Sequence, residues 1–185
     1  MNVSNNLLQS IFLYFAKYPA HKGVMQNFNL NNSVREDYQA FKKAAEDLPV
    51  RDVFKNIITD YVFGVNEESV KKRISSISGV YLFVDYGNVT SIEDDRRVKH
   101  DDFNLALTLA KPTSANSLNS AEEVLLVDEL LNTLRQIRAD MRADRDNPFI
   151  KALVFPNEIT PFFAREMSNS YGWTLMFKMQ GVDLV

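Results

Sequence analysis

Two segments in which a large apolar residue recurs at every second position constrain the fold of this chain more than any other feature of its sequence. Residues 103–109 (FNLALTL) and residues 173–179 (WTLMFKM) each place every second side chain on one apolar face. A period of two is typical of a β-strand that packs one face on a core. Residues 80–89 (VYLFVDYGNV) and 152–155 (ALVF) are further candidate strands, so we expect the second half of the chain to build a sheet.

A long helix is predicted between these strands. Ser120 and Glu123 have the spacing of a capping box, and the apolar stripe behind them consists of Val127, Leu130, Leu134, Ile137 and Met141. The polar stretch between the first two strands is too short for a parallel crossover, which favours a long antiparallel hairpin. We therefore predict an α+β fold, in which an antiparallel sheet carries the long helix on one face and follows an N-terminal helical region.

The residues before Gly79 carry mostly helical periodicity. The predicted elements are a helix ending near Tyr18, a loop over residues 21–32, a helix opened by Ser33 and Glu36, and helices over residues 53–58 and 67–75. Residues 1–78 thus form an N-terminal helical region, which could be an insertion-bearing arm. Residues 79–185 form the α+β core, and we expect both to fold together as one compact domain.

The composition excludes several kinds of site. The chain has no cysteine, and its two histidines, His21 and His100, lie far apart in sequence, so we expect neither a metal nor a cofactor. A formal net charge of −3 argues against a dedicated binder of duplex DNA. The apolar stretch LLQSIFLYFA lacks a basic leader and is too short to span a bilayer. We expect a protein of cytoplasmic origin with no membrane partner.

The segment VYLFVDYGNV admits two interpretations. It resembles the first strand of NYN/PIN-like ribonucleases, and this resemblance implies Asp85 as a ligand of a catalytic divalent metal with Asn88 as its supporting amide. In the other interpretation, Asp85 occupies an exposed position of a core strand, and Gly87 and Asn88 begin a hairpin turn. The alternating strand that follows favours the second interpretation. We expect a non-enzymatic protein, with the metal-dependent ribonuclease as the alternative.

The segment EDDRRVKHDD, residues 93–102, holds five carboxylates among basic residues. Its spacing does not match an EF-hand loop, which has a glycine midway and a terminal glutamate. Interleaved opposite charges are more typical of a solvated hairpin tip or an interface loop. The residues for which we predict partner contacts are Asp94, Asp95, Arg96, Arg97, Asp101 and Asp102.

The first predicted helix is apolar over more than one stripe. Such a helix needs cover on two sides, either from its own chain or from a neighbouring subunit. Its residues Leu8, Phe12 and Phe15 are therefore further interface candidates. The apolar surface of this helix and the edges of the sheet both suit assembly with other copies of the chain.

The C-terminal string EITPFFAREMSNSYGWTLMFKM, residues 158–179, combines a proline-aromatic segment, a polar turn and a Gly-Trp entry into an alternating strand. With the order helix, hairpin, helix and strands, it resembles phage tail-completion or tail-terminator proteins, in particular those of phages and prophages of Bacteroidetes. The resemblance covers about residues 75–180 and carries over the strand entry at Gly172 and Trp173, the latter as an interface candidate. Residues 19–78 depart from the pattern, because typical terminators have one N-terminal helix.

The resemblance implies a virion structural protein of the tail or neck, made in the cytoplasm of the host bacterium. Such a protein forms a homo-oligomeric ring, most often a hexamer, and contacts the tail tube or the neck and connector proteins. It meets DNA only as passing cargo. The charged loop would then face the neighbouring subunit or the lumen of the ring.

Overall fold

The computed structural model of the protein describes residues 7–28, 33–49, 52–93, 99–113, 119–144 and 146–181. The helices are α1 (Leu7–Ala16), α2 (His21–Met25), α3 (Glu36–Glu46), α4 (Asp52–Lys55), α5 (Glu67–Ile74), α6 (Ser120–Ala143) and α7 (Pro148–Lys151), with a 3-10 turn at Gln26–Phe28. The strands are β1 (Ile58–Phe63), β2 (Val80–Glu93), β3 (Lys99–Lys111), β4 (Leu153–Ala164) and β5 (Ser170–Gly181).

The strands form one sheet in the order β1-β2-β3-β5-β4. Strands β2, β3, β5 and β4 pair antiparallel, whereas β1 pairs with β2 in parallel. The predicted α+β class and the antiparallel β2–β3 hairpin are confirmed, and the sheet is mixed at its β1 edge. After Gly79 the order strand, strand, helix, strand, strand is the predicted one, with the short helix α7 added before β4.

Strand β1 lies where the sequence predicts a helix. The apolar residues 53–58 fit the buried side of a helix, yet α4 ends at Lys55 and Ile58 already begins β1. The strand is rich in β-branched and aromatic residues, which fit a pleated surface, and its pairing with β2 buries Ile58, Tyr61 and Val62. Residues 1–78 therefore contribute a strand to the sheet and are not wholly helical.

The main core lies between one face of the sheet and the helices α1 and α6. The alternating apolar residues of β3 and β5 are buried there, as predicted, namely Phe103, Leu105, Leu107, Leu109, Leu175, Phe177 and Met179. Helix α6 buries the residues Leu130, Leu134, Ile137 and Met141 against them. Asn119, and not Ser120, caps this helix, because its side chain accepts from the amides of Ala121 and Glu122.

The opposite face of the sheet carries helix α5 over β1 and β2. Asn66 caps this helix, since its side chain accepts a hydrogen bond from the Ser69 amide at 2.9 Å. A second apolar cluster forms beneath α5 from Val62, Val70, Ile74, Tyr81, Phe83 and Ala110. Farther along this face the hydroxyls of Thr108 and Thr174 are hydrogen-bonded at 2.8 Å. This face thus combines an apolar cluster beneath α5 with a hydrogen-bonded threonine pair between β3 and β5.

Two predictions for the N-terminal region are wrong. Residues 21–28 form α2 and the 3-10 turn instead of a loop, and Gly23 lets α2 lie directly against β1, where a Cβ would meet the Thr59 carbonyl oxygen at 2.2 Å. Arg35, and not Ser33, is the N-cap residue of α3, because the Ser33 hydroxyl accepts from the Arg35 amide before the helix begins.

Candidate functional site: the β2–β3 hairpin

The β2–β3 hairpin extends beyond its neighbour β1. Strand β1 pairs with β2 only from Val80 to Val84, whereas β2 continues to Glu93. On the other side, β3 is paired with β5 from Asp101 to Lys111. Beyond Val84 no described strand pairs with the outer edge of β2. The backbone groups of that edge therefore have no strand partner within the described residues.

A bulge lies in the middle of β2. The register with β3 shifts between Tyr86 and Val89, so Gly87 and Asn88 lie within the strand. The predicted turn at Gly87 and Asn88 is wrong, because a bulge absorbs these residues and the strand continues beyond them. All side chains of residues 87–93 are exposed, among them the apolar Val89 and Ile92, each 39% exposed.

The charged segment 93–102 is only partly described by the structure. Asp94, Asp95, Arg96 and Arg97, for which partner contacts are predicted, lie outside the described residues. Asp101 lies in β3 and accepts a hydrogen bond from the Ser91 hydroxyl of β2 at 2.6 Å. This contact joins the two strands of the hairpin by their side chains as well as by their backbones.

The Asp102 carboxylate is buried and hydrogen-bonded within the sheet. It is 4% exposed and accepts hydrogen bonds from Lys178 Nζ at 2.8 Å and from Gln180 Nε2 at 3.1 Å. The Lys178 ammonium holds the pKa of Asp102 below its usual value. Asp102 therefore links β3 to β5 and is not a free surface carboxylate. The sequence gives no sign of Lys178 as its partner, because alternation does not fix the register between two strands.

Asp85 is half-buried on the face of the sheet that carries α5, because it follows Phe83 by two residues in β2. It pairs with Ala106 in the antiparallel ladder, and the parallel pairing with β1 ends one residue earlier. Burial raises the pKa of Asp85 above its usual value, and a backbone hydrogen bond from Tyr86 offsets only part of this effect. The Asn88 amide is exposed and lies 3.4 Å from the Thr90 hydroxyl.

Replacing Asp85 by asparagine is expected to stabilise the fold at neutral pH and to leave it unchanged at low pH. The folded state keeps the Asp85 proton to a higher pH than the unfolded chain does. The stability that this proton contributes is complete below about pH 4 and is lost as the pH rises through the raised pKa. Urea unfolding across this range should therefore show a growing advantage of the neutral asparagine. A destabilised variant at neutral pH would instead mean that a cation holds the Asp85 carboxylate.

The four apolar interface candidates lie in different surroundings. Phe12 and Phe15 are 4% and 0% exposed in the main core, which removes them from the surface that a neighbouring subunit could contact. Leu8 is 40% exposed. Trp173 is half-buried, and its Nε1 donates to the Val127 carbonyl oxygen at 2.9 Å. The tryptophan therefore anchors α6 to β5.

Two further observations bear on function. In the part of the chain that the structure describes, no three His, Asp or Glu side chains form a group that could hold a metal ion, and no helix is both long and apolar enough to cross a membrane. Comparison of the chain with protein-family models, curated proteins and solved structures gave no match. A functional interpretation therefore rests on the geometry of the chain itself.

Proposed function

We propose that this chain is a non-enzymatic structural protein of a phage particle. Copies of the chain would associate into a closed ring, with a hexamer as the expected size, at the tail end or the head-tail connector. The observation that carries the proposal is the open edge of β2 beyond Val84. The resemblance of the C-terminal region to tail-completion proteins supports the particle as the setting. The tail tube or neck proteins are then the partners, and DNA passes through the ring.

The open edge of β2 is suited to pairing with another chain. A strand edge is a template for added strands, and proteins commonly protect such edges with proline or charge. Strand β4, at the opposite edge of the sheet, contains Pro156 and Pro161, which donate no backbone hydrogen bond. The outer half of β2 has no proline and presents Val89 and Ile92. We therefore expect the next subunit to add at the β2 edge.

The symmetry of the contact decides between a ring and a dimer. Two β2 edges that pair with each other close a dimer, whereas a β2 edge that meets a different surface of the next copy builds a ring. Light scattering on a sizing column, over a range of protein concentrations, measures which of them forms. A discrete particle of hexamer mass supports the proposal, and a monomer or dimer at every concentration contradicts it.

Replacing both Val89 and Ile92 by lysine is expected to dissociate the ring into monomers without unfolding them. Both side chains are exposed, so their replacement leaves the core intact, but two ammonium groups at the edge oppose strand addition. The measurement is the mass by light scattering together with the thermal midpoint by circular dichroism. Val34→Lys and Val53→Lys are matched controls, since these valines are 95% and 67% exposed away from the hairpin. An equal loss of particle mass in the controls would show that added positive charge dissociates the particle wherever it is placed.

The ribonuclease alternative keeps one observation in its favour. Strands β1 and β2 are parallel, and Asp85 directly follows the last residue of their pairing. Incubation of the purified protein with single-stranded RNA and manganese tests it, with Asp85→Asn as the control. We expect no cleavage above that of the variant. Manganese-dependent cleavage that the substitution abolishes would replace the structural proposal.

A further inference from the structure

A pocket of about 300 Å³ lies between α1, the 3-10 turn, α3, β1 and α5. Its walls are mostly aromatic and consist of Phe12, Phe28, Tyr38, Phe41 and Phe63, with Leu8 at the side. Arg73 of α5 and Asn27 supply polar groups. An apolar cavity with a few convergent polar groups is the usual form of a small-molecule site. No sequence motif points to it, because its walls come from five separate segments.

The walls of this pocket hold one another in place. The Phe12 ring lies edge-on to the rings of Phe41 and Phe63, with centroids 5.0 and 5.3 Å away. The ring of Phe28 lies 5.2 Å from that of Phe41, and the Tyr38 hydroxyl donates to the Phe28 carbonyl oxygen at 2.8 Å. The cavity is therefore formed before a ligand enters, which reduces the entropic cost of binding.

Arg73 brings a positive charge to this apolar pocket. Its Nη2 donates to the Tyr61 carbonyl oxygen at 2.9 Å and to Asn27 Oδ1. Among the described residues, Nη1 and Nε have no acceptor, and no carboxylate forms an ion pair with the guanidinium. Burial lowers the pKa of Arg73 below its usual value, although a guanidinium remains charged at neutral pH. A half-buried cation without an anion favours an anionic ligand.

The chain segments that adjoin these walls in sequence offer no such anion. Residues 1–6 (MNVSNN) precede α1, and residues 29–32 (NLNN) follow the 3-10 turn. Neither segment contains an aspartate or a glutamate. The anion that complements Arg73 is therefore expected from outside these segments. Since every wall of the pocket belongs to one chain, the occupant need not be shared between subunits.

We propose that this pocket binds a small monocarboxylate with an apolar tail. The carboxylate accepts a charge-assisted hydrogen bond from Nη1 of Arg73, because both protons of Nη2 are already donated to Tyr61 and Asn27. The tail lies against the Phe12 and Phe41 rings, and a cavity of this volume holds roughly ten carbon atoms. The site is independent of ring formation, because it lies on other elements than the hairpin.

Titration calorimetry with decanoate and with 4-phenylbutyrate tests the proposal. Decanamide has the same tail and no charge, and it is expected to bind at least about tenfold more weakly than decanoate, because it offers Arg73 no anionic partner. Absence of carboxylate binding overturns the proposal. Equal affinity for decanoate and decanamide overturns the role of Arg73 in binding the carboxylate.

Two substitutions locate the binding. Arg73→Gln is expected to weaken decanoate binding by about tenfold or more, whereas Lys72→Gln, an exposed neighbour on α5, leaves it unchanged. Because Arg73 also bonds to β1, circular dichroism must show that the variant is folded. Leu8→Trp narrows the pocket from an exposed position and should weaken binding in a folded chain.

The outcomes of these titrations separate the small molecule from a second copy of the chain. Wild-type affinity in either the Arg73 or the Leu8 variant overturns the assigned site. Light scattering then compares the particle mass of the decanoate complex with that of the free protein. An unchanged particle mass at saturation supports a small-molecule site, whereas dissociation of the particle by decanoate means that a second copy occupies the pocket and overturns the proposal.

Discussion

Replacing Gly172 by alanine is expected to destabilise the protein by about 3 kcal/mol or more. A Cβ on Gly172 would lie 2.0 Å from the Leu109 carbonyl oxygen and 2.7 Å from the Ala110 Cα. Both are backbone atoms of β3, the central strand of the sheet, and cannot rotate away as a side chain could. Strands β3 and β5 would have to move apart where the ladder pairs Ala110 with Gly172. Unfolding in urea, followed by circular dichroism, measures the loss.

Gly87→Ala is the matched control, since Gly87 also lies in a strand of the same sheet. A Cβ there would meet atoms of Asn104 at 3.5 Å, an ordinary contact distance. Because the site is exposed, we expect a change in unfolding free energy within about 0.5 kcal/mol. If both substitutions lower the unfolding free energy equally, the loss at Gly172 reflects the general strand propensity of alanine and not the close approach of β3 and β5.

The same glycine illustrates what the sequence could predict about the fold. Alternation identified β3 and β5, because each has one face on the core, and helical spacing identified α6. Neither pattern shows that β5 approaches β3 so closely that only glycine fits at residue 172. Strand β1 was missed for a related reason. Its short apolar run fits a helix or a strand, and the partner that decides between them is β2, in a distant part of the sequence.

The hairpin could be predicted from the sequence, but its turn could not. Gly-Asn is a common turn signal, so the prediction placed the turn at Gly87 and Asn88. In the fold, the ladder resumes at Val89 opposite Phe103, and the Asp102–Lys178 ion pair adds a side-chain link between β3 and β5. Such register-dependent contacts outweigh a local turn preference. The Arg73 pocket was beyond prediction because five separate segments form it.

Replacing Phe15 by alanine is expected to cost about 3–5 kcal/mol of unfolding free energy. The Phe15 side chain is fully buried, and its ring lies 5.2 Å from that of Tyr14 and 6.0 Å from that of Phe177 in β5. Alanine would leave a cavity where α1 packs on the sheet, and the rigid neighbours could fill it only in part. Urea unfolding at a protein concentration that keeps the chain monomeric measures this cost without any contribution from assembly.

Leu8→Ala on the same helix is the control for Phe15→Ala. Leu8 is 40% exposed, so its truncation is expected to cost less than about 1 kcal/mol. The comparison shows whether the apolar side chains of α1 are covered by their own chain or by a neighbouring subunit. If Phe15→Ala destabilises the monomer and Leu8→Ala does not, α1 is covered by its own chain, and the hairpin edge is left as the main assembly surface. If Phe15→Ala leaves the monomer stable but lowers the mass of the oligomer, α1 faces a neighbouring subunit, and the hairpin proposal loses its support.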